Sequence, residues 1–145
     1  MSDVVVKIKT ETDIPNYETS GSAGMDVRAH VESPVTIKPG KWALVPTGLY
    51  IELPVGYEAQ IRARSGLSVK KGITLINGIG TIDSDYRGEI KIGLLNLGEE
   101  EFVVSNGDRI AQMVVMKYER AELVITQELS DTDRGDGGFG HTGVE

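Results

Sequence analysis

A chain of 145 residues with 15 Lys and Arg against 22 Asp and Glu, net charge -7, has room for one domain with its own hydrophobic core. Its acidity argues against a nucleic-acid binder, and means that a polyanionic substrate must be met by a local cationic cluster or a metal ion. The absence of Cys, and two His (His30 and His141) far apart in sequence, exclude disulfides, a thiolate nucleophile and zinc-ligand spacing; no segment reaches the apolar length of a membrane span, and Met1–Lys7 lacks the regions of a signal peptide, so the expectation is an intracellular, cytoplasmic protein with no membrane partner.

The first segment with chemical promise is Ser22-Ala23-Gly24-Met25-Asp26-Val27-Arg28-Ala29. A lone carboxylate beside glycine suits the orientation of a metal-bound water, because Mg²⁺ carried by substrate phosphates needs few direct protein ligands. Asp26 suits a turn or a strand end equally well. Lys38-Pro39-Gly40-Lys41 reads as a turn. Trp42 opens the apolar run Trp42-Ala43-Leu44-Val45 and is assigned to core or subunit-interface packing rather than to a ligand. Leu49, Ile51 and Leu53 then alternate with Tyr50 and Glu52, the period of a half-buried antiparallel strand. After the turn Leu53-Pro54-Val55-Gly56, Ala59, Ile61 and Ala63 alternate with Glu58, Gln60, Arg62 and Arg64. This strand runs into Ser65-Gly66-Leu67-Ser68, with a short helix predicted from Gly66 to Lys71. Arg64, Ser65 and Gly66 at such a helix start offer a phosphate cradle without the Walker pattern; a plain N-cap with a solvated arginine fits the same residues.

The apolar run Ile73–Ile79 leads into Gly80-Thr81-Ile82-Asp83-Ser84-Asp85-Tyr86-Arg87-Gly88. A carboxylate beside Ile82 suits a general base that holds a water for attack. Tyr86 offers a flat face to a sugar or base. A polar turn whose Asp residues cap backbone amides is the competing reading. Ile90, Ile92 and Leu94 alternate with Glu89, Lys91 and Gly93 as a further strand. The turn Ser105-Asn106-Gly107-Asp108 feeds Arg109-Ile110-Ala111-Gln112-Met113, where Arg109 suits internal pairing with a carboxylate and Gln112 suits donation to a phosphate. From about Ser130 the hydrophobic pattern stops. Arg134-Gly135-Asp136-Gly137-Gly138-Phe139-Gly140-His141-Thr142-Gly143 is half glycine. Phe139 has no evident core to enter, glycines permit close backbone approach, and Arg134 and Thr142 supply donors for anionic oxygens. This is either a lid for a nucleotide or a solvated terminus. Short strands punctuated by turns define an all-β fold, a distorted jelly roll, sandwich or barrel with one short helix. The domain is expected over 1–129 and the flexible glycine-rich lid over 130–145.

In this order, these segments resemble the five motifs of the trimeric deoxyuridine triphosphate nucleotidohydrolases (dUTPases). Ala23–Val27 is similar to the first, Arg64–Ser68 to the second, Gly80–Ile90 to the third, Gly107–Gln112 to the fourth and Arg134–Gly143 to the fifth. Met25, Val27, Ser68 and Thr81 depart from the commoner residues, and none of these changes removes a proposed catalytic group. The resemblance implies a dUTPase-like β-clip fold, a homotrimer with inter-subunit sites, Mg²⁺, and hydrolysis of dUTP to dUMP and pyrophosphate. That reaction keeps uracil out of DNA and supplies dUMP for dTMP synthesis. It implies Asp83 as the base, Asn77 and the Gly80 hairpin backbone at uracil, and Tyr86 under the deoxyribose. Arg64, Ser65, Gly66 and Gln112 would hold phosphates, and Asp26 would act on Mg²⁺ through water. Arg134 would clamp the γ-phosphate, Phe139 would stack on uracil, and Gly140, His141 and Thr142 would complete the phosphate contacts. The alternatives are a dCTP deaminase-like enzyme of the same fold and a nucleotide-gated protein-binding regulator.

Overall fold

The computed structural model describes residues 4–144; Met1–Asp3, part of the N-terminal segment read above, and Glu145, the end of the expected lid, lie outside the described residues. Eleven short strands and one helix follow in order: β1 (Lys7–Thr10), β2 (Met25–Arg28), β3 (Val35–Ile37), β4 (Trp42–Pro46), β5 (Leu49–Glu52), β6 (Tyr57–Arg62), α1 (Ser65–Lys71), β7 (Ile73–Leu75), β8 (Gly80–Ile82), β9 (Lys91–Asn96), β10 (Phe102–Val104) and β11 (Arg109–Lys117). Every pairing among them is antiparallel. The strands form four small sheets, ordered β1-β5, β10-β3, β2-β11-β6-β8 and β4-β9-β7. The all-β expectation with a single short helix holds.

The alternation read from the sequence sets the core. Leu49, Ile51, Ala59, Ile61, Ile90, Ile92 and Leu94 are buried together with Val27, Ile37, Val45, Val104, Ile110 and Met113. Each large aliphatic side chain so buried contributes about 2 kcal/mol over its exposed state. Two of the three expected turns close from last residue to first, Lys41 N to Lys38 O at 3.0 Å and Asp108 N to Ser105 O at 3.1 Å, and the third closes one residue later than expected, Tyr57 N to Pro54 O at 3.2 Å. Two buried polar residues join sheet to loop. Asn96 donates to the carbonyls of Ile37 and Glu100, both at 2.8 Å. Thr47 donates to the Ile90 carbonyl, which seats the start of β9.

Helix α1 begins at Ser65, one residue before its predicted start, and buries no residue of its own. It stops where Gly72 turns left-handed at φ 71°. A Cβ there would meet Gly98 N at 2.6 Å. One core expectation fails. Trp42 is 55% exposed and Leu44 equally so, because they occupy the outward positions of β4 while Val45 takes the inward one. Of the two packing roles expected for Trp42, the core role is excluded. Past β11, Tyr118, Gly137 and Gly138 are half-buried, and Glu119–Asp136 are exposed throughout, including Leu123, Val124, Ile125 and Leu129. No helix among the described residues is long and apolar enough to cross a membrane.

Candidate active site

Two groups of the expected residues are brought together, at two places on the β2-β11-β6-β8 sheet. The first is a charged cluster. Register sets Gln112 beside Asp26 on one side and Arg62 on the other. Asp26 accepts from Arg64 Nε at 3.0 Å and pairs with Arg109 at 3.4 Å, with its carboxylate only 18% exposed. Arg64 also donates to the Arg109 carbonyl at 3.2 Å. Two of its donor nitrogens are therefore fixed by protein, and Nη2 has no hydrogen-bond partner among the described residues. Gln112 is anchored through Nε2 to the Ala63 carbonyl at 3.0 Å. Gly24 is required beside it, because a Cβ there would stand 2.5 Å from Gln112 Oε1. Ser65 and Gly66 follow Arg64 and are exposed. Arg109 takes the internal pairing expected of it.

The second group lines an open cavity of about 610 Å³. Asn77, Gly80, Ile82, Asp83 and Tyr86 all face it. Its floor is a tight hairpin. Gly78, left-handed at φ 72°, donates to the Leu75 carbonyl at 3.0 Å, and Ile76 N reaches the Gly93 carbonyl at 2.8 Å. Gly93 lies under that hairpin, where a Cβ would stand 2.8 Å from Ile76 Cγ2. Gly80 packs against Ile61, which a Cβ would approach to 3.1 Å. Beyond buried Ile82 the chain leaves β8, and Asp83 emerges at the cavity edge, exposed and with no hydrogen-bond partner for its carboxylate among the described residues. Tyr86 N returns to the Asp83 carbonyl at 3.1 Å, and the Tyr86 phenol donates to the Glu89 carbonyl at 2.8 Å.

The loop is braced from outside by residues that sequence reasoning missed. Arg87 donates to the carbonyls of Ser84 and Tyr86, at 2.7 and 3.1 Å. It also pairs with Glu52 at 3.3 Å, and Glu52 in turn pairs with Lys7 at 2.9 Å. The Lys7 hydrogen bond and charge, with the Arg87 charge behind them, hold the Glu52 carboxyl below the usual carboxylate range. Tyr118 accepts from Gly56 N at 3.3 Å and lies 3.5 Å from the Ser84 hydroxyl; these contacts, Ser84 first, lower its phenol pKa. Tyr50, Leu44 and Lys91 also line the cavity. Their only sequence signal is an outward position on a strand, which any solvated residue shares.

The C-terminal candidates are not brought to either group. Arg134, Phe139, Gly140, His141 and Thr142 are exposed. Arg134 Nε donates to the Gly137 carbonyl at 2.7 Å, and Gly137 leaves room for the His141 ring, which a Cβ would meet at 2.5 Å. Phe139 holds a left-handed φ of 51° and presents its whole ring to solvent.

Strand β6 measures how far apart the two groups lie. Ile82 pairs with Ala59 and Gly80 with Ile61. Asp83 therefore continues toward the Glu58 end of β6, whereas Arg64 lies beyond its other end. Six residues of extended chain separate those points, roughly 20 Å at the rise of a strand.

An antiparallel domain with an open cavity lined from two sheets and a braced cationic cluster has the framework for binding an anionic ligand. The family model described as dUTPase matches residues 10–143, and the chain belongs to that family. It is 59% identical to the deoxyuridine 5'-triphosphate nucleotidohydrolase of Finegoldia magna over 93% of this chain and 94% of that protein. It is 55% identical to the protein of the same name from Neorickettsia sennetsu over 93% of this chain and 91% of that protein. Among solved structures, a mutant dUTPase of Staphylococcus bacteriophage 80alpha with dUpNHpp superposes with a TM-score of 0.87, at 24% identity, over 97% of this chain and 99% of that one. A mutant dUTPase of phage phi11 of S. aureus, described with a structural Mg(II) ion, gives 0.78 at 20% identity over 88% of this chain and 99% of that one.

Proposed function

We propose that this chain hydrolyses dUTP to dUMP and pyrophosphate with Mg²⁺, as a homotrimer whose sites are shared between copies. The observation that carries the shared site is the separation along β6. A water primed by Asp83 must attack the α-phosphorus of a nucleotide whose phosphates lie on Arg64, Ser65, Gly66 and Gln112. Roughly 20 Å is too long a gap for one triphosphate to leave its α-phosphorus beside both groups of one chain, at a strand rise of about 3.3 Å per residue. A second copy that brings its cationic cluster to the cavity of the first closes that gap. The exposed Trp42 and Leu44, and the solvated Leu123–Leu129 arm, provide apolar surface for such association. The 130–145 segment then reaches a neighbouring site as its lid.

The chemistry follows from the residues. Asn77 and the backbone of the Gly80 hairpin offer fixed donors and acceptors to the uracil edge, so a base with the wrong pattern leaves buried polar groups unmatched. Tyr86, its phenol tied to Glu89, forms a rigid floor with no space for a ribose 2'-hydroxyl. Asp83 takes a proton from the attacking water. The new P–O bond forms in line as the α,β-bridging bond breaks, and pyrophosphate departs with the electron pair. Arg64, with Gln112, neutralises and orients phosphate oxygens. Phe139 covers the base, and Arg134, Gly140, His141 and Thr142 close over the phosphates and exclude water.

The donor set fits Mg²⁺ held chiefly by substrate. No group of three or more His, Cys, Asp or Glu among the described residues forms a cage. Asp26 already holds two guanidinium groups and keeps lone pairs for a water of the ion's shell, the mode expected of a reluctantly dehydrated cation. When bound, the ion neutralises phosphate charge in the transition state. The nucleotide pool for this reaction is intracellular, and the reading places the enzyme there. Neither the deaminase nor the regulator reading is favoured, since the relatives are named as nucleotidohydrolases.

The deciding experiment is a pyrophosphate-release assay over dUTP, UTP, dTTP and dCTP, with and without Mg²⁺. Turnover of dUTP alone, and only with the metal, is expected. A folded sample that leaves dUTP intact with Mg²⁺ present overturns the proposal, and ammonia release from dCTP redirects it to deamination.

A further inference from the structure

We infer that Gly88 determines sugar specificity by having no side chain, an inference that rests on Tyr86 as the sugar floor. A Cβ on Gly88 would overlap Tyr86 Oη and stand 2.6 Å from Cζ and 2.9 Å from Cε1. All three nearest atoms belong to this one ring. The backbone does not demand glycine here, because Gly88 is absent from the left-handed positions that Gly78 and Gly72 occupy. The demand comes from the phenol, which lies back across residue 88 to reach the Glu89 carbonyl at 2.8 Å.

The acceptor itself is held on both sides. Gly48 N donates to the Glu89 carboxylate at 3.1 Å, and Ile90 N donates to the Leu49 carbonyl at 2.8 Å. A methyl group at 88 therefore cannot be relieved by moving Glu89, and the ring must yield. Ordinary carbon contacts need about 3.5 Å, so it withdraws by about 1 Å and loses its hydrogen bond. Gly88 is thus a positioning residue. It touches no substrate and sets the height and tilt of the surface that does.

The test is the ratio of kcat/KM for dUTP over UTP in Gly88→Ala, Tyr86→Ala, the double variant and Tyr86→Phe. Displacement of a positioning surface by this distance costs on the order of tenfold to a hundredfold, and Gly88→Ala is expected to lower the ratio by about tenfold or more. Tyr86→Ala lowers it as well, and adding Gly88→Ala to Tyr86→Ala changes it no further, since the overlap is gone. Tyr86→Phe, which keeps the ring and loses only the bond to Glu89, lowers the ratio partway. That variant carries the test if Gly88→Ala fails to fold. An unchanged ratio in folded Gly88→Ala, equal added losses in the double variant, or an unaltered ratio in Tyr86→Phe overturns the role of Gly88. An unchanged ratio in Tyr86→Ala overturns the sugar-floor reading itself.

Discussion

Asp83 and Asp26 are carboxylates with opposite surroundings, and the surroundings divide the work between them. Asp26 is mostly covered and grips two arginines, so its charge is committed to the protein. Asp83 stands exposed at the cavity edge with an uncommitted carboxylate, as a base needs. Asp83→Asn is expected to retain dUTP binding, measured by calorimetry, while turnover falls about a thousandfold, within the range of general-base catalysis. A wild-type rate in this variant removes Asp83 from the mechanism. Asp26→Asn leaves two guanidinium groups facing a neutral amide. A loss of about 2 kcal/mol in urea denaturation is expected for a partly buried pair broken on one side, with a raised KM as Arg64 loses its brace; unchanged stability and KM would contradict the arrangement. At this scale the sequence was informative wherever a residue type has a chemical reason to stand in a motif. Glu52 escaped notice because a charge on an outward strand position has the same pattern whether it braces a loop or faces water, and Tyr118 because it stands just past the end of β11, where no period applies.

Among the elements, turns and strands were legible because proline, glycine and the period of two act within a few residues. The edge between β4 and solvent was not. Trp42-Ala43-Leu44-Val45 is apolar on both faces, and only the sheet order decides which face is covered. The brace across β1, β5 and the 83–88 loop has a pH signature. Because the folded Glu52 carboxyl titrates below its usual range, its contribution is complete at neutral pH and is lost as pH falls through that lowered value. Glu52→Gln is expected to flatten the acid limb of the Tm-against-pH curve, and an unchanged limb would assign acid sensitivity elsewhere. Among the described residues, the hydrogen bonds of the tail run between its own residues, Thr126 to Glu128, Gly135 to Thr132, Arg134 to Gly137 and His141 to Gly138. Removal of everything after Leu129 is expected to slow turnover strongly and leave Tm unaltered. Phe139→Trp should give emission that responds to a dUTP analogue with Mg²⁺, and a silent tryptophan would argue against stacking.

For the whole molecule, the placement of the Asp83 and Arg64 groups at opposite ends of β6 makes the proposed shared site predict something that a single-chain site does not. Asp83→Asn and Arg64→Met are each inactive alone. Mixed, denatured and reassembled in equal amounts, they are expected to regain about a quarter of wild-type activity, because random assembly gives that share of sites both intact halves. No recovery, in a mixture shown by native mass spectrometry to contain hybrids, would place both halves in one chain. The expectation of association came from family resemblance alone. Period and propensity describe which face of a strand is apolar; they carry no signal for what covers it.

The solvated reach of chain beyond Tyr118 has a further meaning. Its isoleucine, valines and leucines stand exposed on their own copy, so a site shared between copies, as proposed, should lose catalysis on dilution at concentrations where circular dichroism still reports intact strands. Specific activity would then climb with the amount of protein present, and a cell producing only a few copies would hold an inert pool until synthesis passed that threshold.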